Sequence, residues 1–407
     1  MKCRHCKSDQ LYQLVDLGFQ PPSNAYRSID ELDNEETLFP LRTNVCKECF
    51  LVQTEDYTSR ETFFDDNYAY FSSTSQSWLE HAQSYSEKVI KEFRLDGDSF
   101  VIEVASNDGY LLRNFLEKKI PCLGIEPRKS TAQHAISQGI KTVKDFYGAD
   151  LAKLIRKESG EADLIICNNV YAHVPDINDF TKAIEISLSE NGVVSIEFPH
   201  LLNLIKFCQF DTIYHEHFSY LSVKTVKRIF EENNLRIFRV EELPTHGGSV
   251  RVFGCKSNGT HETCQSVERI IVKETKQGLF NLETYKNFEA SVRLRRERLL
   301  NFLINAKSEG KIVCGYGAAA KGNTFLNYAG VKSDLLPFVA DAAKAKVGKF
   351  LPGSAIPIKD PSAVNQLRPD YVIILPWNIA DEVKMQFSTL AALGTKFFTF
   401  IPDLKEV

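Results

Sequence analysis

Residues 211–220, DTIYHEHFSY, place a glutamate between two histidines, with tyrosines near both ends, in a chain of only 9 histidines. Three interpretations fit this segment: a metal site, a base cluster, or packed aromatic side chains. The HExxH spacing of a metal-binding helix is absent, and His215 and His217, two positions apart, suit a strand instead. A glutamate beside a histidine can orient the imidazole and hold its pKa near neutrality, so the pattern favours a base cluster. Simple packing of a buried His215 stays open.

Further polar residues follow two strand-like segments. Asn168, Asn169 and His173 come after one of them, and His200 ends the next. An open α/β sheet binds its ligands at the carboxyl ends of its strands. We therefore expect His173, His200 and the two histidines of the 211–220 segment to converge on one bound ligand.

A turn of small and polar residues, EVASNDGY at 103–110, ends a hydrophobic strand and opens a helix. Such a turn lets a ligand approach the backbone amides. Glu126 ends the next strand, where a carboxylate can bind ribose hydroxyls. The GxGxxG cradle for the diphosphate of NAD is absent, so the turn favours S-adenosylmethionine. The expected cofactor-binding residues are Glu103, Ala105, Ser106, Asn107, Gly109, Tyr110, Glu126, Pro127, Asn168 and Asn169.

Two CxxC pairs lie near the N-terminus, Cys3 with Cys6 and Cys46 with Cys49. Two such pairs supply the four thiolates that structural zinc prefers, although four unrelated thiols are the alternative. A closed four-sulfur site leaves no open position for chemistry. The zinc is therefore expected to stabilise the fold.

Composition and charge restrict the class of protein. The chain has 407 residues, of which 43% are hydrophobic and 25% charged, and this balance is typical of a soluble globular protein with two or three domains. No apolar run approaches the roughly 20 residues of a membrane span, and the N-terminus lacks the apolar core of a signal peptide. The net charge of −4 gives no general attraction to nucleic acid. We expect a cytoplasmic monomer that binds neither membranes nor nucleic acid.

The predicted elements form an α/β protein of three parts. They are a small N-terminal zinc-binding module (1–65), a central doubly wound, Rossmann-like methyltransferase domain (66–280), and a second, C-terminal Rossmann-like α/β domain (281–407). The central domain has strand-like segments at 99–104, 122–126, 163–169 and 192–198 and an antiparallel edge pair at 236–243 and 249–254. A polar helix near 281–308 leads to four further strand candidates at 311–317, 335–341, 370–376 and 396–402.

The C-terminal domain has its own glycine-containing turn, GYGAAAKGNT at 315–324. A turn after a strand with a lysine and a hydroxyl nearby suits a diphosphate. Taken alone, it fits NAD binding or simple packing equally well. The residues of interest are Gly315, Tyr316, Gly317, Lys321, Asn323 and Thr324.

The motifs together resemble one family, the zinc-containing sugar C-methyltransferases, which add a branch methyl to C3 of nucleotide-linked 4-keto deoxysugars. The matching motifs cover nearly the whole chain in the family's order: the paired CxxC, NYAYFSSTS, EVASNDGYLL, GIEP, YAHV, EFPH, YHEHFSYLS and GYGAAAKGNTFLN. No single motif is specific, but the combination is.

The resemblance implies a mechanism and roles for individual residues. The C3 proton of a 4-keto sugar is acidified by the carbonyl, so that a base can remove it before the carbon attacks the methyl donor. The position of the base is that of His217, and Tyr214, Glu216, His173 and Tyr68 match residues of the same pocket. Further contacts to the sugar nucleotide are expected from Tyr70, His200, His215 and the C-terminal turn.

Two other functions fit parts of the sequence. O- or N-methylation of a sugar or another metabolite would use the same turn at residues 103–110, the donor turn, because a site for the methyl donor does not define the acceptor. A zinc-ribbon nucleic-acid-binding protein with an inactive methyltransferase core is a third hypothesis, which the acidic balance and the intact donor turn oppose.

Overall fold

The computed structural model describes residues 1–57, 71–74 and 76–407, with the side chains of 74 and 77 also left out. Tyr68 and Tyr70 therefore lie outside the described residues. The strands are β1 (Leu11–Gln20), β2 (Phe39–Cys46), β3 (Val52–Thr54), β4 (Val101–Val104), β5 (Cys122–Ile125), β6 (Thr142–Val143), β7 (Ala162–Asn168), β8 (Leu188–Pro199), β9 (Ser219–Tyr220), β10 (Leu235–Leu243), β11 (Ser249–Lys256), β12 (Val313–Tyr316), β13 (Val339–Ala340), β14 (Ile358–Lys359), β15 (Tyr371–Ile374), β16 (Lys396–Thr399) and β17 (Lys405–Glu406).

The α-helices of the described residues separate these strands. They are α1 (Gln76–Phe93), α2 (Leu112–Glu117), α3 (Lys129–Ser137), α4 (Ala149–Ser159), α5 (Ile177–Ser187), α6 (Leu201–Lys206), α7 (Val223–Glu232), α8 (Gln265–Lys276), α9 (Phe288–Ser308), α10 (Ala320–Ala329), α11 (Ser362–Leu367), α12 (Ala380–Gln386) and α13 (Ser388–Ala392). No helix among the described residues combines the length and the apolar composition that crossing a bilayer requires.

The N-terminal sheet is antiparallel, with the strand order β1-β2-β3-β9. Its fourth strand comes from the segment that carries DTIYHEHFSY, since Tyr220 pairs with Val52 and Ser219 with Gln53. The N-terminal module is thus built onto the central domain by a shared sheet. The boundaries near residues 65 and 280 stay predictions.

The central sheet has the order β10-β11-β8-β7-β4-β5-β6. Strands β4 to β8 are parallel, and β11 is antiparallel to both its neighbours, which confirms the predicted edge pair. Because side chains alternate across a strand, Ile102 and Ile165 pack in the core on one face, while Val101 and Leu164 pack in the core on the other. The strand order reverses between β4 and β7, so the carboxyl ends of these two strands mark the expected ligand site.

The C-terminal sheet repeats this plan with the order β14-β13-β12-β15-β16-β17. All its pairs are parallel except β16 with β17. The four predicted strands are present as β12, β13, β15 and β16, and the short β14 and β17 were not expected. The strand order reverses between β12 and β15, so the GYGAAAKGNT turn, which follows β12, lies at a second expected ligand site.

Candidate active site

A cavity of about 460 Å³ opens at the carboxyl ends of β4, β5 and β7 and extends to the C-terminal domain. Of the predicted site residues, those that line it are Ala105, Asn107, Tyr110, Glu126, Pro127, Asn168, Asn169, His173, Tyr214, His217 and Lys321. Those described outside its wall are Glu103, Ser106, Gly109, His200, His215, Glu216, Gly315, Tyr316, Gly317, Asn323 and Thr324. The structure therefore brings together two of the four histidines that were expected to converge.

The imidazole of His217 is fixed by the backbone of its own segment. Its Nδ1 atom lies 2.9 Å from the carbonyl oxygen of Thr212, so Nδ1 carries the proton and donates, and Nε2 has the free lone pair. Residues 214–217 form a turn closed by the amide of His217 and the carbonyl of Tyr214, at 3.0 Å. The segment is therefore a turn here, where the spacing had suited a strand.

Burial lowers the pKa of His217 well below 6.5, and the charge of a protonated His173 lowers it further. The two rings meet edge to face with their centroids 4.6 Å apart. His173 is held through Nδ1, which donates to the carbonyl oxygen of Glu216 at 2.8 Å, and burial lowers its pKa to about 4. The ring of Tyr214 lies over His217 at 4.0 Å. His217 is thus a neutral imidazole between two aromatic neighbours.

The sequence pattern suggested that Glu216 orients the imidazole of His217, but the carboxylate of Glu216 contacts other residues. Its carboxylate accepts hydrogen bonds from Ser23 Oγ at 3.2 Å and from Asn24 Nδ2 at 3.1 Å. Consecutive residues of a turn point in different directions, so Glu216 faces the N-terminal module while His217 faces the cavity. Burial raises the pKa of Glu216. The carboxylate therefore joins the N-terminal module to the turn that carries the imidazole.

His215 and His200 have partners away from the cavity. His215 Nε2 lies 3.3 Å from the carbonyl oxygens of Phe39 and Pro40, so it supports strand β2. His200 Nε2 lies 2.7 Å from Oε1 of Glu274, a residue 74 positions later that is fully buried. The same carboxylate accepts from the backbone amide of Val223 at the start of α7. Neither residue lines the 460 Å³ cavity that His217 lines.

The turn after β4 has the backbone of a ligand loop. Ala105, Asn107 and Gly109 all adopt positive φ, at 57°, 52° and 82°. The φ of Gly109 favours glycine, and a Cβ there would lie 2.3 Å from Cδ1 of Ile140, so a side chain at this position would be strained and would displace Ile140. Behind the turn, burial raises the pKa of Glu103 well above its usual value, as do the charges of Asp108 and Glu126.

The polar groups at the ends of β5 and β7 fit the methyl donor. Oε2 of Glu126 accepts from the amide of Asn107 at 3.0 Å, and Oε1 accepts from the amide and from Nε of Arg128 at 3.1 Å and 3.2 Å, so Oε2 keeps a lone pair for a ribose hydroxyl. The buried Asn168 Oδ1 and both polar side-chain atoms of Asn169 have no hydrogen-bond partner among the described residues. Such buried groups call for a polar ligand. S-adenosylmethionine supplies an electrophilic methyl group when it is bound here.

The C-terminal domain provides a basic wall to the same cavity. Lys321 lies in the first turn of α10, with Nζ 2.6 Å from Asn378 Oδ1 and 4.6 Å from the ring centroid of Trp377. Burial lowers its pKa, which the charge of Asp211 partly offsets. Lys346, which sequence reasoning missed, also lines the cavity.

The other predicted residues of the C-terminal turn do not line the cavity but fix the conformation of the turn. Gly317 has φ +90°, and a Cβ there would lie 2.2 Å from Cδ of Pro376. Asn323 and Thr324 donate to the carbonyl oxygens of Ser23 and Ile213, at 3.3 Å and 3.1 Å, and thus attach α10 to the rest of the chain. Tyr316 donates to Gln386 Oε1 at 2.8 Å, inside its own domain, and Gly315 packs against Val339.

Sequence reasoning also missed Asn24, Trp78 and His246, which line the cavity. Asn24 comes from the N-terminal module and Trp78 from α1, far from the strand ends that drew attention. His246 lies between Pro244 and a Gly-Gly pair in the β10–β11 loop, a signal that could have found it.

The four predicted zinc ligands form one cluster. The Sγ atoms of Cys3, Cys6, Cys46 and Cys49 all lie within 4.8 Å of one another, and the pairs Cys3–Cys49 and Cys6–Cys46 are 3.5 Å apart. A tetrahedron with Zn–S bonds of about 2.3 Å has edges of about 3.8 Å. The cluster therefore fits a structural zinc ion.

Three family models match the chain in succession. Residues 3–64 match the model described as "Putative zinc binding domain", 78–240 match "Methyltransferase domain" and 244–402 match "C-methyltransferase C-terminal domain". The C-methyltransferase NovU of Streptomyces niveus is 31% identical over 402 residues, which are 99% of this chain and 96% of NovU.

Two of the solved structures that match each cover less than half of the chain. The YcgJ protein of Bacillus subtilis covers 44% of it, with 100% of its own chain, 12% identity and a TM-score of 0.36. The magnesium protoporphyrin IX methyltransferase of Synechocystis PCC 6803 with bound S-adenosylmethionine covers 44%, with 79% of its own chain, 14% identity and a TM-score of 0.34. From its three matched domains and its full-length similarity to NovU, the chain belongs to the zinc-containing, S-adenosylmethionine-dependent C-methyltransferases.

Proposed function

We propose that the protein methylates C3 of a nucleotide-linked 4-keto-6-deoxysugar, in branched deoxysugar biosynthesis. One observation carries the proposal: a single cavity joins the donor turn and the neutral imidazole of His217 to the basic wall of the second α/β domain. A keto sugar needs a base beside the donor, and its diphosphate needs cations farther away.

The proposed chemistry begins with proton removal from C3. Nε2 of His217 accepts this proton, and the electron pair of the C–H bond forms the enolate that the 4-keto group stabilises. The enolate carbon then takes the methyl group, the carbonyl re-forms, and S-adenosylhomocysteine leaves. A neutral imidazole is the form that can accept a proton, and the low pKa of His217 keeps it neutral at physiological pH.

The neighbours of His217 would orient the base and the sugar. Tyr214 and His173 restrict the imidazole ring on two sides, and its Nδ1 bond to the Thr212 carbonyl keeps Nε2 toward the cavity. Such alignment lowers the barrier by holding reacting atoms close together. Glu216 would act indirectly by fixing the turn. Roles for Tyr68 and Tyr70 stay predictions.

The basic wall would bind the diphosphate of the sugar nucleotide. Lys321 and Lys346 offer positive charge, and the backbone at Ala319 and Ala320 begins the ten-residue helix α10. Unpaired amides and the helix dipole favour an anion at such a terminus.

The test is incubation with S-adenosylmethionine and the dTDP-, GDP- and CDP-linked 4-keto-6-deoxysugars. We expect S-adenosylhomocysteine and a product heavier by one CH2 group with at least one of them. The matched control is the same sugar with a 4-hydroxyl group, whose C3 proton is not acidified and which should stay unmethylated. Absence of turnover with every keto sugar, or methylation of an oxygen in the control, would reject the proposal.

A further inference from the structure

The loop between β10 and β11 holds a histidine in an unfavourable backbone conformation. His246 has φ 52° and ψ 26°, in the left-handed region that glycine adopts most easily. Its neighbours Gly247 and Gly248 also have positive φ, at 82° and 111°. A non-glycine residue keeps such a conformation only where the surrounding structure imposes it, and such sites cluster where ligands bind.

Contacts within the central domain hold this loop. The amide of Gly248 donates to the carbonyl oxygen of Thr245 at 2.9 Å, which closes the turn around His246. Thr245 Oγ1 donates to the buried carboxylate of Glu197 at 2.8 Å. Asn203 Nδ2 donates to the carbonyl oxygen of Gly248 at 3.1 Å. The loop is thus bound on both sides of the histidine.

The C-terminal domain packs against the outer side of this loop. The six-membered ring of Trp377 packs so tightly on Gly247 that a Cβ there would lie 2.1 Å from it. Trp377 is itself fixed, because its Nε1 donates to Asp211 Oδ2 at 2.7 Å. Asp211 belongs to the same short segment as Thr212, whose carbonyl holds His217. One tryptophan therefore contacts both histidine-bearing loops.

The imidazole of His246 faces the cavity and has no hydrogen-bond partner among the described residues. Its only ring neighbour among them is Trp78, with centroids 5.5 Å apart. Burial lowers its pKa to about 4, and the charge of Lys321 acts in the same direction. The ring is therefore neutral, with one N–H to donate.

The position of the loop decides which ligand it meets. The donor turn follows β4, whereas His246 follows β10, and β7, β8 and β11 lie between these strands in the sheet. The residues expected to bind the methyl donor lie at the ends of β4, β5 and β7, so the β10–β11 loop borders the part of the cavity beyond them. The space that His246 lines is therefore the part of the cavity left for an acceptor.

We propose that His246 contacts the acceptor sugar and donates a hydrogen bond to one of its oxygens while His217 removes the proton. This inference rests on the proposed function. It also explains why a strained histidine is present, because a glycine at position 246 would relieve the strain but has no side-chain N–H to donate a hydrogen bond.

Two substitutions separate the ring from the backbone. His246→Ala and His246→Gly both remove the imidazole, but only glycine relieves the positive φ. Both variants should lose methylation alike, by about 100-fold in kcat/KM, as expected when a preorganised donor is removed. The urea midpoint of the glycine variant should exceed that of the alanine variant. Affinity for S-adenosylhomocysteine should stay within about twofold of the wild type, because the donor half is untouched.

The matched control is Arg94→Gly, at an exposed residue with φ 55° just after α1. It should raise the urea midpoint and leave methylation unchanged. Methylation by both His246 variants within about threefold of the wild type would overturn the inference, as would an equal loss of S-adenosylhomocysteine affinity. A wild-type enzyme inactive on every keto sugar would instead reject the proposed function, and this inference with it.

Discussion

Nδ1 of His217 lies 2.9 Å from the carbonyl oxygen of Thr212, and this contact determines which nitrogen of the imidazole can act as a base. A backbone carbonyl can only accept, so Nδ1 must carry the proton and Nε2 must be free. A carboxylate in that position would instead stabilise the protonated imidazole and raise its pKa. Here burial dominates and lowers the pKa, so the imidazole is neutral before the acceptor arrives.

The pH dependence of kcat/KM should reflect this low pKa. As the pH falls through the pKa of His217 the imidazole gains a proton and can no longer accept one, so activity is lost on the acid side. Because burial places this pKa well below 6.5, the acid limb should lie below pH 6.5. Rates with the keto sugar across the acid range check this. Half-maximal activity at or above pH 6.5 would contradict the assignment of His217.

His215 should couple stability to pH without taking part in catalysis. Burial lowers its pKa from 6.5 to about 4, so its contribution to stability is present above pH 6.5 and is lost as the pH falls toward 4. The linkage amounts to about 3 kcal/mol at most. His215→Gln keeps an N–H for the Phe39 and Pro40 carbonyls but does not titrate. Its free energy of unfolding should fall less between about pH 7.5 and about pH 4.5 than that of the wild type.

Urea unfolding at the two pH values measures this difference. The exposed residue His134 gives the control, because His134→Gln should change the pH dependence little. If His215→Gln loses as much stability with acid as the wild type does, the buried and neutral state of His215 is wrong.

Replacing a zinc ligand should affect both stability and catalysis. Cys46→Ser should lower the zinc content from one ion per chain toward zero and lower the urea midpoint, since zinc binding contributes folding energy. Methylation should fall too, because the N-terminal sheet includes β9, and Thr54 Oγ1 donates to the backbone carbonyl of His217 at 2.8 Å. Metal analysis, urea unfolding and the methylation assay measure the three effects.

The exposed Cys264 provides the matched variant, and Cys264→Ser should keep its zinc, stability and activity. Unchanged zinc content in Cys46→Ser would reject the four-cysteine site.

Lys321 should contribute to acceptor binding more than to the donor site. Lys321→Met keeps most of the length but loses the charge, so KM for the sugar nucleotide should rise by about 10-fold or more, as expected for a charged hydrogen bond. The affinity for S-adenosylhomocysteine should not change. Lys405→Met, on an exposed strand of the same domain, is the control. An unchanged KM, or a loss confined to donor affinity, would argue against a diphosphate at this wall.

The sequence predicted the parts of the molecule that local pattern determines. The longer strands of both Rossmann-like sheets, the edge pair and the cysteine cluster were foreseen, because apolar periodicity and ligand spacing are local properties, whereas the two-residue strands β6, β14 and β17 were not. The hydrogen-bond partners of His200 and Glu216 could not be foreseen. His200 meets Glu274 and Glu216 meets Ser23, and these contacts join residues 74 and 193 positions apart. Only tertiary packing decides which histidine reaches the cavity, and it selected His173, His217 and His246.

The most direct test of the central claim, that His217 removes the C3 proton of a keto sugar, is solvent exchange at that carbon. The enzyme is incubated in D2O with S-adenosylhomocysteine and the accepted 4-keto sugar nucleotide, so that proton removal is observed without methyl transfer. Deuterium should enter C3 with the wild type, and His217→Ala should slow this by about 100-fold or more while still binding S-adenosylhomocysteine. Exchange at the wild-type rate in His217→Ala, or no exchange in a wild type that methylates the sugar, would contradict the account.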